Sequence, residues 1–276
     1  MPLRPDLTNA SIPLLDEVDV VDELGRVRTV HIPGERPLTV YLDKRELVTL
    51  MTLGGAPEAL VLGYLRNQRL VGSIEDIASV QVDWETESAA VTTRGGIADL
   101  DEKTARRTVT TGCGQGTVFG SLMDEIDAIH LPPGACMTQT TLYRVVDTIR
   151  LQQSIYKQAG SVHGCALFAA GELLQAVEDV GRHNAVDTVT GWMALHGVDG
   201  ADKVLYTTGR LTSEMVLKAA RMGVPVVVSR NGVTAMGHEM ALRLGMTLFG
   251  RAVNRHFLCY SGFERFDPEV QSQGQG

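Results

Sequence analysis

Between residues 111 and 117 the chain reads Thr111-Gly112-Cys113-Gly114-Gln115-Gly116-Thr117, one thiol among alternating glycines. A cysteine thiolate is a nucleophile and the attacking group of thiol–disulfide exchange. Gly112, Gly114 and Gly116 lack a Cβ, so the backbone around Cys113 reaches φ > 0 easily and is costly to order. No apolar periodicity crosses the stretch, and it reads as an exposed loop. A thiol on such a loop can meet one partner and then another. The plainer alternative is a glycine-rich turn with an incidental cysteine, since free cysteines commonly behave as small buried hydrophobes. Cys136, Cys165 and Cys259 are scattered and form no C-x-x-C pair, which argues against a structural zinc site. Any functional cysteine here works as a single thiol.

Polar side chains gather at three further places, each where a strand gives way to a helix. Residues 178–187 begin Glu178-Asp179 and continue through Gly181-Arg182-His183-Asn184 to Asp187. His183 and Asp187 are four residues apart on one helical face, where a carboxylate can orient an imidazole. Asp179 as a helix cap with Arg182 in solvent is the plainer reading. At residues 207–214 Gly209 follows a strand and Thr212 or Ser213 can cap the next helix; free amides beside Arg210 make an anion site. Residues 229–234 repeat that design around Asn231. Turn and cap chemistry alone would explain either junction. Ligands of open α/β sheets bind beyond the carboxyl ends of the strands, so the two together point to a phosphate-bearing ligand. His163, at the start of a strand, is a pocket candidate. Arg251, Arg255 and His256 follow the last apolar strand, as phosphate clamps or as a solvated edge. His238-Glu239-Met240-Ala241-Leu242 lacks the second histidine of a zincin.

The elements that must position these groups follow from periodicity. Residues 18–21 and 27–32 are strand candidates, 38–42 and 46–53 form a pair of strands, and 80–84 with 89–93 read as a hairpin. A helix is expected over 57–68, with Pro57 at its first turn. Pro132, Pro133 and Gly134 stop any regular element and suggest two domains, 1–130 and 131–276. An amphipathic helix is expected over 138–158 with Tyr156 on its apolar face, then strands at 162–169 and 173–178 and a helix at 182–196. Strands at 203–207, 225–229 and 246–249 alternate with helices at 212–222 and 234–244, implying parallel strands with crossovers. The expected fold is α/β: a smaller N-terminal α+β domain carrying Cys113 and a C-terminal three-layer α/β/α domain. Trp84 and Trp192 read as core, 271–276 as a solvated tail.

Composition narrows the function classes. A chain of 276 residues, 44% hydrophobic and 21% charged, has ample material for a core. A net charge of −8 argues against non-specific nucleic-acid binding. Prolines and acids interrupt the first 23 residues, no signal-peptide core is present, and no apolar run spans a bilayer. The expectation is a cytoplasmic protein with neither nucleic acid nor membrane as partner, whose cysteines stay reduced.

Taken together, residues 38–65, 111–116, 160–166, 178–187, 208–229, 246–250 and 260–262 resemble the formate dehydrogenase accessory sulfurtransferase family, of FdhD/NarQ type. The most specific segments are Glu178 to Ala185 and the pattern Gly209, Arg210, Glu214, Lys218, Ala219. The resemblance implies a sulfur carrier that takes persulfide sulfur from a cysteine desulfurase and passes it to the bis-molybdopterin guanine dinucleotide cofactor of formate dehydrogenase. It also implies a homodimer, and a C-terminal fold similar to cytidine deaminases. By position Cys113 would carry the persulfide. The segment Arg251-Ala252-Val253-Asn254-Arg255-His256 falls where the family binds cofactor. His163, Arg182, His183, Gly209, Arg210 and Asn231 join it as candidate cofactor contacts, with no metal held directly by protein side chains. The chain departs from the family where Gly116 replaces the second cysteine of the usual C-x-x-C loop, at the third junction, and where Arg251 replaces a common aromatic. One thiol must therefore both receive and deliver sulfur. The zinc signature of deaminases is missing. A non-catalytic cofactor-binding chaperone, with Cys113 incidental, is the alternative.

Overall fold

The computed structural model describes residues 3–97, 126–132 and 135–269, together with the backbone of 108–109 and 115–116. In chain order the strands and helices are β1 (Asp6–Leu7), β2 (Leu15–Val21), β3 (Val27–Pro33), β4 (Arg36–Leu42), β5 (Arg45–Thr52), α1 (Pro57–Asn67), β6 (Ile77–Asp83), β7 (Ser88–Thr93), β8 (Thr108–Val109), β9 (Gln115–Gly116), β10 (Met137–Thr138), α2 (Gln139–Leu151), α3 (Ile155–Ala159), β11 (His163–Ala169), β12 (Glu172–Asp179), α4 (Arg182–His196), β13 (Lys203–Thr207), α5 (Ser213–Arg221), β14 (Val226–Ser229), α6 (Ala235–Leu244), β15 (Thr247–Val253), β16 (His256–Ser261) and β17 (Phe266–Asp267). The fold is mixed α/β. No helix among the described residues is long and apolar enough to cross a membrane.

The chain forms two compact units, and neither is continuous in sequence. One comprises Met1–Met123, Gln153–Cys165 and Ala176–Val198; the other comprises Asp124–Gln152, Ala166–Gln175 and Asp199–Gly276. The expected 1–130 and 131–276 division places α4 in the second half of the chain, yet α4 packs within the first unit.

The reason lies in α1 and its two neighbours. In the first unit a sheet of order β1-β6-β7-β4-β5 turns alternate side chains inward, Leu38, Val40 and Leu42 from β4 and Val80 and Val82 from β6. These meet Leu60, Val61, Tyr64 and Leu65 of α1 in one apolar cluster. Every residue of α1 except Arg66 is buried, so the helix needs cover on more than its sheet face. That cover is α4, brought so near that a Cβ on Gly63 would sit 1.7 Å from the Asp187 carbonyl oxygen, and one on Gly191 1.8 Å from that of Ala59. Below the crossing the buried Asn67 Nδ2 donates to Asp187 Oδ1 at 2.7 Å and to Thr190 Oγ1 at 3.0 Å. Interior amides and carboxylates need such partners.

In the second unit the sheet order is β12-β11-β13-β14-β15-β16. The pairs β13–β14 and β14–β15 are parallel, as the alternating strands and helices imply, and β14 is buried along its whole length. Met215, Val216, Ala219 and Met222, at helical spacing on and just after α5, are buried.

Two expectations need correction. The helix expected over 138–158 is two helices, broken at residues 152–154 and falling in different units. Gln152 leaves helical geometry at ψ 140°, and Ser154 caps the new start through its side chain. Tyr156 therefore belongs to α3 and is 50% exposed, rather than lining the apolar face of α2. The strand expected to end at 249 runs on to Val253 and turns back as β16, so Arg251 to His256 form a hairpin within the sheet, not a segment beyond it.

Candidate functional site

Cys113 lies outside the described residues. The backbone on either side of it in sequence is β8 and β9, paired antiparallel with Thr108 opposite Gly116 and Val109 opposite Gln115. The other thiols differ in exposure. Cys165 is buried at 1% and Cys136 is exposed. Cys259 is half-buried; burial pushes its thiol pKa up, and its Sγ donates to Ser261 O at 3.5 Å. A thiol that resists ionisation is a poor nucleophile.

The polar run at 178–187 is mostly consumed by the fold of the first unit. Asp179 ends β12 and is 3% exposed. Its Oδ2 accepts from Thr52 Oγ1 at 2.5 Å and Leu53 N at 3.2 Å, and its Oδ1 from Gly181 N at 3.0 Å and Asn184 Nδ2 at 2.9 Å. Burial raises its carboxyl pKa against the pull of these bonds. The cap of α4 is Gly181, without a side-chain cap bond, so Asp179 braces the approach to the helix instead of capping it. Asn184 Nδ2 also donates to Met51 O at 2.7 Å. Glu178 binds two amides, Ile155 N at 2.6 Å and Tyr156 N at 3.2 Å. Asp187 is engaged by Asn67. Arg182 and His183 occupy the first turn of α4, and the Nε of Arg182 has no hydrogen-bond partner among the described residues. His163 is half-buried at the start of β11.

In the second unit the two βα junctions are stitched together. Ser229 Oγ donates to Gly209 O at 2.6 Å and accepts from Asn231 N at 2.9 Å, and Thr207 Oγ1 accepts from Gly209 N at 3.0 Å. Asn231 Nδ2 donates to Thr208 O at 2.6 Å, and Arg251 N donates to Asn231 O at 2.8 Å. The structure thus gathers Gly209, Asn231 and Arg251, with the Asn231 amide spent on the backbone and Arg210 exposed beside them. Thr212, ahead of α5, makes no side-chain cap bond.

The hairpin tip has different company. Arg251 and Asn254 adopt positive φ, 52° and 54°. Ala252 is buried, whereas Val253 and His256 are exposed. Arg255 pairs with Asp147 at 3.1 Å and lies 4.6 Å over the ring of Tyr143. Between Arg255 and Thr140, Tyr143, Asp147, Thr148 and Leu151 of α2 runs an open groove of about 390 Å³. Sequence reasoning did not find Tyr143, Asp147, Thr52 or Asn67. The i, i+4 spacing of Tyr143 and Asp147 was a usable signal; the other two become partners only through tertiary contact.

A family model described as the FdhD/NarQ family matches residues 33–267. A relative called "Sulfur carrier protein FdhD" in Bacillus licheniformis is 31% identical, covering 84% of this chain and 88% of its own. Another of the same name in Wolinella succinogenes is 29% identical, covering 93% and 91%. The crystal structure of a protein from Desulfotalea psychrophila, described as a formate dehydrogenase accessory protein, superposes with a TM-score of 0.74 at 27% identity, covering 92% of this chain and all of the other. With the match spanning both units and Cys113, the chain belongs to the FdhD/NarQ family.

Proposed function

We propose that this protein is a sulfur carrier. It takes persulfide sulfur on Cys113 from a cysteine desulfurase and delivers it to the bis-molybdopterin guanine dinucleotide cofactor in service of formate dehydrogenase. The observation that carries the reading is the family match across residues 33–267, with Cys113 and its flanking glycines inside it. In the first step the Cys113 thiolate attacks the outer sulfur of the donor persulfide. A new S–S bond forms on Cys113, the donor S–S bond breaks, and the donor leaves as a thiolate. In the second step the S–S bond on Cys113 breaks and the outer sulfur leaves as sulfide, to bond to the molybdenum or tungsten of the cofactor, which is the substrate. Two equivalents of a small thiol, oxidised together to one disulfide, supply the two electrons and return Cys113 to the thiol. An outside reductant is needed because Gly116 offers no neighbouring thiol.

The cofactor is cargo, and its nucleotide phosphates require cations and amides. Gly209, Arg210, Asn231 and the segment Arg251 to His256 are the proposed contacts in one unit, and His163, Arg182 and His183 in the other. Working as a homodimer in the cytoplasm, with a cytidine-deaminase-like second unit, completes the proposal. The absence of a second loop cysteine favours the one rival, a cofactor chaperone with Cys113 idle. Incubation with a cysteine desulfurase and cysteine separates the two. The carrier gains the mass of one sulfur atom on the peptide containing Cys113; no gain there supports the chaperone.

A further inference from the structure

Glu178 and Asp179 are consecutive residues of β12, so their side chains leave opposite faces of the strand. Each carboxylate accepts from a different segment. Glu178 holds the first two amides of α3, the short helix whose chain continues through Gly160, Ser161 and Val162 to His163. Asp179 holds the end of β5 through Thr52 and Leu53, and the start of α4 through Gly181 and Asn184. Arg182 and His183 lie between those last two contacts in sequence.

We propose that Glu178 and Asp179 are a positioning pair: one carboxylate sets the segment that presents His163, the other sets the helix start that presents Arg182 and His183. Neither acid transfers a proton. Thr52, Leu53, Gly181 and Asn184 all donate to the Asp179 carboxylate, so both of its oxygens are committed as acceptors. Both oxygens of Glu178 are occupied by backbone N–H groups. Adjacent acids before a glycine would otherwise suggest paired acid–base chemistry; here the geometry assigns them to two separate scaffolds. The inference rests on the proposed role of His163, Arg182 and His183 in holding the nucleotide.

The test uses the full chain with GDP as probe and two conservative variants, Glu178→Gln and Asp179→Asn. In each, an amide N–H₂ faces a group that is itself a donor. Calorimetry is expected to show GDP bound about tenfold more weakly by Asp179→Asn, and less severely so by Glu178→Gln, as small misplacements of binding groups cost. In spectra of histidine-labelled protein, Asp179→Asn moves the His183 ring signals and Glu178→Gln moves those of His163. A buried core variant of equal thermal destabilisation, Val40→Ala, leaves GDP affinity and both histidine signals in place. Variants that lose stability yet keep wild-type affinity and histidine signals overturn the pairing. If wild-type protein binds no GDP, the cofactor reading fails, and the histidine shifts alone decide the pairing. Glu178→Gln sits at a half-buried position and keeps the test open should Asp179→Asn not fold.

Discussion

In a Gly63→Ala variant the helix pair α1–α4 is forced apart and urea unfolds the protein at a clearly lower concentration. The added Cβ would lie 1.7 Å from the Asp187 carbonyl oxygen, 2.5 Å from its carbon and 2.8 Å from Gly191 N. All three are backbone atoms, so no rotamer change relieves the overlap. Recoil is blocked as well, because the Leu60, Val61, Tyr64 and Leu65 side chains of α1 are packed in the sheet cluster. Moving α4 instead strains the bonds from Asn67 to Asp187 and Thr190 and opens space in the core. Alanine gains about 1 kcal/mol over glycine in helix propensity, while overpacking of this severity costs roughly 3 kcal/mol or more. The clash wins. Gly191→Ala, aimed at Ala59 O, behaves alike. A midpoint equal to or above wild type would show that the helices do not cross this closely.

A Cys113→Ala variant is expected to leave formate dehydrogenase inactive in cells that lack the wild-type protein, although the variant folds and accumulates normally. Alanine at residue 113 removes the sulfur atom proposed to hold the transferred one. No neighbour inherits the task, since the residue three positions on is Gly116. The remaining thiols provide the controls. Cys165 is buried and Cys259 is held in its neutral form by burial, so their alanine variants retain client activity if they fold. Cys136 is exposed and is the informative comparison: Cys136→Ala keeps the client active. Client activity in cells carrying Cys113→Ala would remove the chemical basis of the reading.

Where local signals were strong, the sequence was enough. Alternation of Leu38, Val40 and Leu42 located β4, Pro57 and the Leu60 to Leu65 spacing located α1, and the apolar run at 225–229 with its flanking helices implied parallel strands. Each element is specified by its own residues. What escaped was tertiary. The break between α2 and α3 has no glycine or proline to announce it; Ser154 and a carboxylate 24 residues away in Glu178 supply the new helix start. The hairpin at 254–255 carries neither glycine nor proline, so β16 was hidden. The placement of α4 on α1 depends on Gly63 and Gly191, whose meaning appears only when the two helices face each other. At the candidate site the density of polar residues at 178–187 was visible, but not its division of labour. Glu178, Asp179, Asn184 and Asp187 brace the fold, a division that becomes visible only once their partners are in place.

The central claim is that one sulfur atom rides on Cys113 and leaves it for the cofactor. The most direct measurement loads the protein with radiolabelled sulfur from a desulfurase, removes the desulfurase, and adds formate dehydrogenase whose cofactor lacks the transferred sulfur, with a thiol reductant. Label leaving the Cys113 peptide and appearing on the extracted cofactor, in step with the rise of formate oxidation, is the predicted result. Activity that rises while the label stays on Cys113, or label that never reaches that residue, would contradict it.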